Sequence, residues 1–573
     1  MDEAVGGRGG ALPAVVLLGC LLVLVPGTAH AQDAATEQPV RFEAGADTTF
    51  EVDDGRRFLD TLELRLAPDG SPVLVNELGI DDYVAGVEEV PARWHAEALK
   101  AQAVAARTYA WRSVRRGTFR DRGLGYDICG TVACQVFTGT RVVEESSHGQ
   151  RWRAAVDETS GRVLLEDDGG PILARYFSTS GGRTLPNQLV FPDSGAFPYL
   201  EGVDDPDDEV SPYHRWEVEL TRDELDDILS RGETLATAVP VDDIERRGDL
   251  LDPFAEVVVT GRDGAQVTVG ASELREFVSR IAPERHPDRF PSRRSDGLRR
   301  LPATLPSSRF TVEVTDDGVT FAGRGWGHGV GMSQHGARGM AMRDMDHEEI
   351  LAHYYGGLTP QTSDDLVERL RVGLDVADDV EVHADGPFRV VAGDEVLAER
   401  AMGPWRVAVD GGSLRVAAPD SHGAPLEVSA TRLVEGPPAS ESRAVVEAEV
   451  GKPAELRLVV TDGTDRTVLD RDLGVRGAGT HTATWGLRDD EDERVPAGEY
   501  QVALVAVDEL EDRAGEAVEV TVRSVEDGAG TGGGGSGILP LSDGRGPLLV
   551  GAALLVLLAV GGAATAMLAG RRA

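Results

Sequence analysis

The spacing of apolar positions changes several times along the 573-residue chain, and each change predicts an element. From about residue 57 to 75 apolar and polar residues alternate around a Pro68-Asp69-Gly70 turn, the pattern of a hairpin. Residues 79–90, "GIDDYVAGVEEV", read as a short helix that stops before Pro91. From Trp94 to Arg116 the chain is dense in Ala, Leu and Gln with no breaker, which predicts its strongest helix. Its small side chains let neighbouring backbones approach closely, so it is expected to be central and buried. Residues 154–270 give several strand-like runs, and 281–308, rich in Arg and Pro, read as irregular. Phe310, Val312 and Val314 alternate before a DDG turn and a return strand. Asp346 with Glu349 forms a capping box for a helix carrying "ILAHYY". Residues 369–433 look like a small all-β unit, and 454–508 alternate between turn signals as a β-sandwich does.

The two ends change the picture. Residues 11–31 are an apolar run closing on Ala29-His30-Ala31, which reads as a signal peptide over 1–31. "LLGC" at 17–20 resembles a lipidation site, but the apolar run continues past Cys20. Residues 525–545 are a Gly-rich linker, and 546–569 are apolar enough for a transmembrane helix before a short tail, 570–573. Arg571 and Arg572 place that tail inside. The expectation is an exported, cell-surface protein anchored in the cytoplasmic membrane by a C-terminal helix. The net charge of −41 excludes nucleic acid as a partner. Lysine occurs only at Lys100 and Lys452. Cys129 and Cys134, in "CGTVAC", read as a short-loop disulfide, with zinc as the rival.

Two stretches carry candidate chemistry. In "GRGWGHGVGMSQHGARGMA" (323–341) every second residue from Gly323 to Gly331 is glycine. Such a bare backbone can present N–H groups to a ligand, and Arg324, Trp326 and His328 between the glycines suit a sugar. The rival reading is a turn that merely packs tightly. His328 and His335 lack a carboxylate partner at metal-site spacing, so no metal is expected. In the second stretch Glu97, Lys100, Val104, Arg107 and Trp111 fall along one helix face, just after Glu88 and Glu89. Apolar flanks there suggest a half-buried polar site.

These stretches together resemble the stage II sporulation protein D (SpoIID/LytB) family. "YVAGVEEVPARWHAEALKAQAVAARTYA" and the glycine run carry the resemblance, with "CQVFTG", "ARYFSTSGGRT", "YLEGVDD" and "SPYHRW" between them. It covers roughly residues 60 to 360, within a family-like domain expected over 32–360. It implies a mixed α+β core and a peptidoglycan lytic transglycosylase that cuts glycan strands between N-acetylmuramic acid and N-acetylglucosamine. No cofactor is implied. The family's catalytic glutamate precedes a Met-Pro pair, and Glu89 precedes Val90-Pro91, with Glu88 as the alternative register. One carboxyl would protonate the glycosidic oxygen, then accept the proton of the muramoyl 6-hydroxyl as a 1,6-anhydro ring closes. The resemblance gives Lys100 and Arg107 catalytic roles in orienting the strand. It gives Ser178, Gly325, Trp326, Gly327, His328, Gly329 and Gln334 the lining of the cleft. Expected partners are peptidoglycan glycan strands, the cytoplasmic membrane and an amidase, since some family members are named amidase enhancers. A non-catalytic amidase stimulator is the alternative function. All-β modules follow the core: a β-rich unit at 361–440, then 441–524, which is similar to the Ig-like domain of flagellar hook-capping (FlgD-like) proteins through "TATWGLRDD" and "VPAGEYQVALVAVD".

Overall fold

The alternating segment at 57–75 becomes the middle of a seven-stranded sheet. The computed structural model describes residues 33–45, 48–52, 54–290, 304–436 and 443–523. Thr61–Leu66 and Pro72–Gly79 form the hairpin, with Leu66 opposite Pro72 across the turn. The sheet runs Glu395–Ala401, Phe388–Ala392, Val40–Ala44, Thr61–Leu66, Pro72–Gly79, Arg369–Leu374, Ile128–Cys129. A six-stranded sheet likewise mixes the two ends of the region. Asp379–Ala384 pairs with Thr49–Val52, and Asp33–Thr36 with Ser413–Ala417. Residues 369–417 therefore share their sheets with residues 33–79. Phe42, Phe50 and Phe388 meet edge-on and tilted in the core between them.

Helix α1, Ile80–Ala85, leaves the hairpin directly, and helix α2, Ala96–Arg116, follows after the Pro91 break. Alanine density does what the sequence predicts: Ala98, Ala101, Ala103, Ala105, Ala106 and Ala110 are buried on several faces of α2. The helix ends at Gly117, whose φ of 62° only glycine adopts cheaply. On one side α2 meets the helix Gly149–Glu158, and on another the helices Gln334–Ala341 and His347–Tyr354. The Asp346–Glu349 capping box is formed.

Residues 216–323 hold a separate core under two three-stranded sheets and the helices Arg222–Leu229 and Ala271–Arg285. The second helix runs past Pro283, so regular structure continues into the stretch read as irregular; a proline in the last turn breaks little. Beyond residue 424 two antiparallel sheets enclose Trp485 and Tyr500, with ring centroids 5.2 Å apart. The Tyr500 hydroxyl donates to the Pro496 carbonyl at 2.8 Å, a corner bond common in such sandwiches.

The expected membrane helix, and the anchored localisation that depends on it, require correction. No helix among the described residues is long and apolar enough to cross a membrane. The longest, α2, carries Glu97, Lys100, Arg107, Arg112, Arg115 and Arg116. Segments 1–31 and 546–569, which carried the signal-peptide and anchor expectations, lie outside the described residues.

The glycine run owes its composition to packing inside the chain. Gly325, Gly327, Gly329 and Gly331 all have positive φ. A Cβ on Gly331 would sit 2.0 Å from the Arg175 carbonyl oxygen, the same oxygen that accepts from Met332 N–H and the Tyr355 hydroxyl. A Cβ on Gly325 would meet the Arg309 guanidinium at 2.3 Å and the Thr179 carbonyl at 2.7 Å. The bare faces at these two positions are filled by the chain's own segment 175–183 and Arg309. Gly331→Ala should therefore cost at least about 2–4 kcal/mol, the sum of left-handed strain and displaced backbone. Thermal or urea unfolding of the variant measures it, and an unchanged midpoint would refute this packing.

Candidate functional site

Residues 87–89 run in extended register against 135–137. Val87 bridges Phe137, the Glu88 N–H donates to the Val136 carbonyl at 2.8 Å, and the Val136 N–H donates to Glu89 Oε1 at 2.7 Å. Extended backbone sends adjacent side chains to opposite sides. Glu88 accordingly turns to Arg141, with which it pairs on a partly exposed surface. Glu89 turns to a group of tyrosines. Burial pushes the hydroxyls of Tyr83, Tyr109 and Tyr176 up, and the nearby Glu89 carboxylate adds to each shift. These hydroxyls stay protonated and can donate.

Gln135 organises this group. It is fully buried; its Oε1 accepts from Tyr83 at 2.7 Å, and its Nε2 donates to the Tyr176 hydroxyl at 2.8 Å. Tyr176 thereby keeps its own O–H as a donor. One residue earlier Cys134 is disulfide-bonded to Cys129, whose strand pairs with Gly373 in the large sheet. The segment that holds Glu89 is thus anchored from both sides.

The glycine region reaches this site through Tyr176. Tyr176–Phe177 pairs in parallel with Met332–Ser333, the lead-in to the helix Gln334–Ala341. His328 Nδ1 accepts from the Val330 N–H at 3.1 Å, which leaves the ring proton on Nε2, toward the Tyr176 carbonyl. Burial, with Arg175 adding to it, holds this imidazole down to about 3, so it is neutral. Phe177 and Phe191 flank it at 5.4 and 5.5 Å. His328 thus meets the Tyr176 backbone, next to the tyrosine group around Glu89. Gln334 is buried and faces Gln102 of α2, while Ser178 offers its carbonyl to His335 N–H at 3.0 Å. Trp326 bridges Thr179 and lies against Tyr213 at 4.8 Å. His335 meets Trp94 edge-on at 4.9 Å, and Arg338 lies over the same indole at 5.4 Å. This ties the loop before α2 to the glycine region.

Two of the expected residues are engaged by partners other than Glu89. Lys100 pairs with Glu97 at 2.9 Å and Glu158 at 2.8 Å. Arg107 is fully buried; its Nε donates to Asp81 at 2.7 Å, and its Nη atoms donate to the carbonyls of Arg162 and Val156. Its donors bind three elements of the protein itself. Gln135, Tyr176 and Tyr83, by contrast, lie beside Glu89 yet carry no catalytic signature of their own in the sequence. The signal for them was present in "CQVFTG", "ARYFSTSGG" and "YVAGVEE": isolated polar groups within apolar runs.

The Glu97 cluster has a pH consequence. Burial pushes its carboxyl up, but hydrogen bonds from Lys100 and His347 outweigh that and hold it at about 2. A depressed folded-state value means that this stabilisation is complete above the ordinary glutamate value and is lost as pH falls toward 2. Thermal midpoints of the wild type should fall more steeply over that range than those of Glu97→Gln; parallel slopes would rule the effect out.

Similarity to known proteins follows the same map. Residues 69–165, which include Glu89 and α2, match the family model described as stage II sporulation protein, and 439–509 match the FlgD Ig-like domain. An uncharacterised protein of Brachyspira hyodysenteriae is 33% identical over 314 residues, covering 54% of this chain and 72% of that one. Stage II sporulation protein D of Bacillus subtilis is 27% identical over 372 residues, 62% of this chain and 96% of the other. The amidase enhancer of the same species is 28% identical over 305 residues, 47% of this chain and 39% of the other.

Proposed function

Because the chain belongs to the stage II sporulation protein D family and so has a cell-wall role, we propose that it is a lytic transglycosylase with Glu89 as its single acid and base. The observation that carries this reading is the placement of Glu89. Its carboxylate is oriented by the Val136 N–H and faces protonated tyrosines, whereas Glu88 is tied to Arg141. Protonated Glu89 delivers its proton to the glycosidic oxygen as the muramoyl C1–O bond breaks. The resulting carboxylate takes the proton of the 6-hydroxyl as that oxygen closes on C1. Bonds balance without water: one C–O bond breaks, one forms, and the carboxyl is regenerated. In this reading the Tyr176 O–H, whose oxygen accepts from Gln135, steadies the carboxylate in the intermediate stage. A hydrolase would require a second carboxylate for water or for a glycosyl intermediate. Here Glu88 is engaged elsewhere.

Lys100 and Arg107 serve this chemistry as positioning residues. Each braces α2, and neither is directed at the Glu89 group by any contact among the described residues. The β-sandwich described within 443–523 serves as a spacer or attachment module. The similarity to the amidase enhancer favours a second reading, stimulation of a wall amidase without cutting. A digest of purified glycan strands with this protein separates the two. Anhydro-muramoyl ends detected by mass spectrometry support the transglycosylase. Strand binding with no new ends, together with faster amidase turnover, would replace it with the second reading.

A further inference from the structure

One of the two lysines in this arginine-rich chain is buried in the β-sandwich. Lys452 lies between the strands Ala444–Val450 and Ala454–Asp462, and Asp508 and Glu509 follow the strand Gly498–Val507. The side chains of Lys452 and Asp508 are 1% exposed and that of Glu509 5%. Lys452 Nζ donates to Glu509 Oε1 at 2.9 Å and to the Ala424 carbonyl. Glu509 Oε1 also accepts from the Gly423 N–H at 2.6 Å. The two oxygens of Asp508 differ. Oδ1 accepts from the N–H groups of Leu510 and Asp512, each at 2.9 Å. Oδ2 stands 2.9 Å from Nζ yet accepts no hydrogen bond among the described residues. Burial pulls the Lys452 ammonium down, and the Asp508 and Glu509 carboxylates more than offset it. An ion pair alone would be served by arginine, as Arg107 serves Asp81. A guanidinium does not give up its proton in a protein, whereas a buried amine can.

We propose that Lys452 and Asp508 join covalently, as an amide between Nζ and Cγ, with Glu509 as the proton carrier. Nζ first passes a proton to Asp508 Oδ2, a transfer that leaves the total charge of the group unchanged. The neutral amine then attacks Cγ, and negative charge gathers on Oδ1, where two backbone N–H groups already point. Glu509 takes a second proton from the nitrogen and returns it to Oδ2. The Cγ–Oδ2 bond breaks, and Oδ2 leaves as water. One C–N bond forms, one C–O bond breaks, and Glu509 ends as the carboxylate it was; no oxidant or other reactant is needed. Amine and carboxyl held in contact react at effective concentrations of up to about 10⁵–10⁸ M, so the entropic barrier that separates free groups is removed. The bond ties the turn that carries Lys452 to the end of the strand Gly498–Val507. It stands whether or not the protein cuts glycan.

The test is mass spectrometry of the full chain, denatured and reduced after prolonged incubation in the folded state. Wild type should fall about 18 Da, one water, below the mass of its polypeptide, whereas Lys452→Arg and Glu509→Gln should show the full mass. Trypsin, cutting after Arg443, Arg457, Arg494 and Arg513, should release residues 444–457 and 495–513 of the wild type as a single branched peptide. A full mass with two linear peptides, or a lost water confined to one linear peptide, would overturn the proposal. The wild type decides this by itself, so a variant that fails to fold does not blunt the test. A branched peptide from folded Glu509→Gln in wild-type yield would refute the role given to Glu509.

Discussion

Glu89→Gln should abolish the formation of anhydro-muramoyl ends, lowering turnover by about 10²–10⁴-fold, the range for loss of a general acid and base. The substitution is well suited to the site. A glutamine carbonyl can still accept from Val136 N–H, as Glu89 Oε1 does at 2.7 Å, so the pairing of 87–89 with 135–137 survives. What disappears is the transferable proton. Thermal midpoint and strand binding should stay close to wild type while product formation falls. Glu88→Gln is the matched control. It removes a partly exposed pair with Arg141, worth about 1 kcal/mol or less, and should leave turnover within about 2-fold. If Glu88→Gln silenced the protein while Glu89→Gln did not, the register of the acid would have to move by one residue. If both variants kept full activity, a single-glutamate mechanism would be lost altogether.

What the sequence revealed and what it hid divide along the range of the interactions involved. Helix α2 was legible because composition alone, alanine without breakers, decides it. The hairpins at 61–79 and 310–323 were legible because turn residues and alternation are local. Strand partners were not: Leu370 lies opposite Leu78, and Val382 opposite Val52, pairings set across some three hundred residues that leave no local trace. Residues 369–433 therefore read as a unit of their own. The glycine run announced itself, but its occupant did not. Nothing in 323–331 shows that the Arg175 carbonyl and the Arg309 guanidinium take the space its missing side chains leave. For the same reason His328 reads as a sugar contact in sequence and as a brace for the Tyr176 carbonyl in space. Glu89 is a candidate through motif resemblance, and only the fold shows that Glu88 and Glu89 turn to opposite sides, which supports the proposed choice between them.

Arg107→Ala is the second large effect, and it separates bracing from chemistry. In sequence Arg107 stands on one helix face with Glu97 and Lys100, which made it a catalytic candidate. In the fold it joins α1 through Asp81, the helix Gly149–Glu158 through the Val156 carbonyl, and the following strand through the Arg162 carbonyl. Its removal takes the cationic partner from the half-buried Asp81, leaving the Ser160 hydroxyl as a donor to it, and deprives two carbonyls of donors. Breaking a buried pair from one side costs about 3–5 kcal/mol. The expected result is a thermal midpoint many degrees lower with kcat of the folded fraction, assayed well below that midpoint, within about 3-fold of wild type. A paired Asp81→Asn change in the same background should cost much less than in the wild type, because the two residues belong to one interaction. The opposite pattern, an unchanged midpoint with turnover lost, would mean that Arg107 reaches the substrate in a conformation other than this one. The contrast with Glu89→Gln is then direct: one residue should lose stability and keep chemistry, and the other should lose chemistry and keep stability.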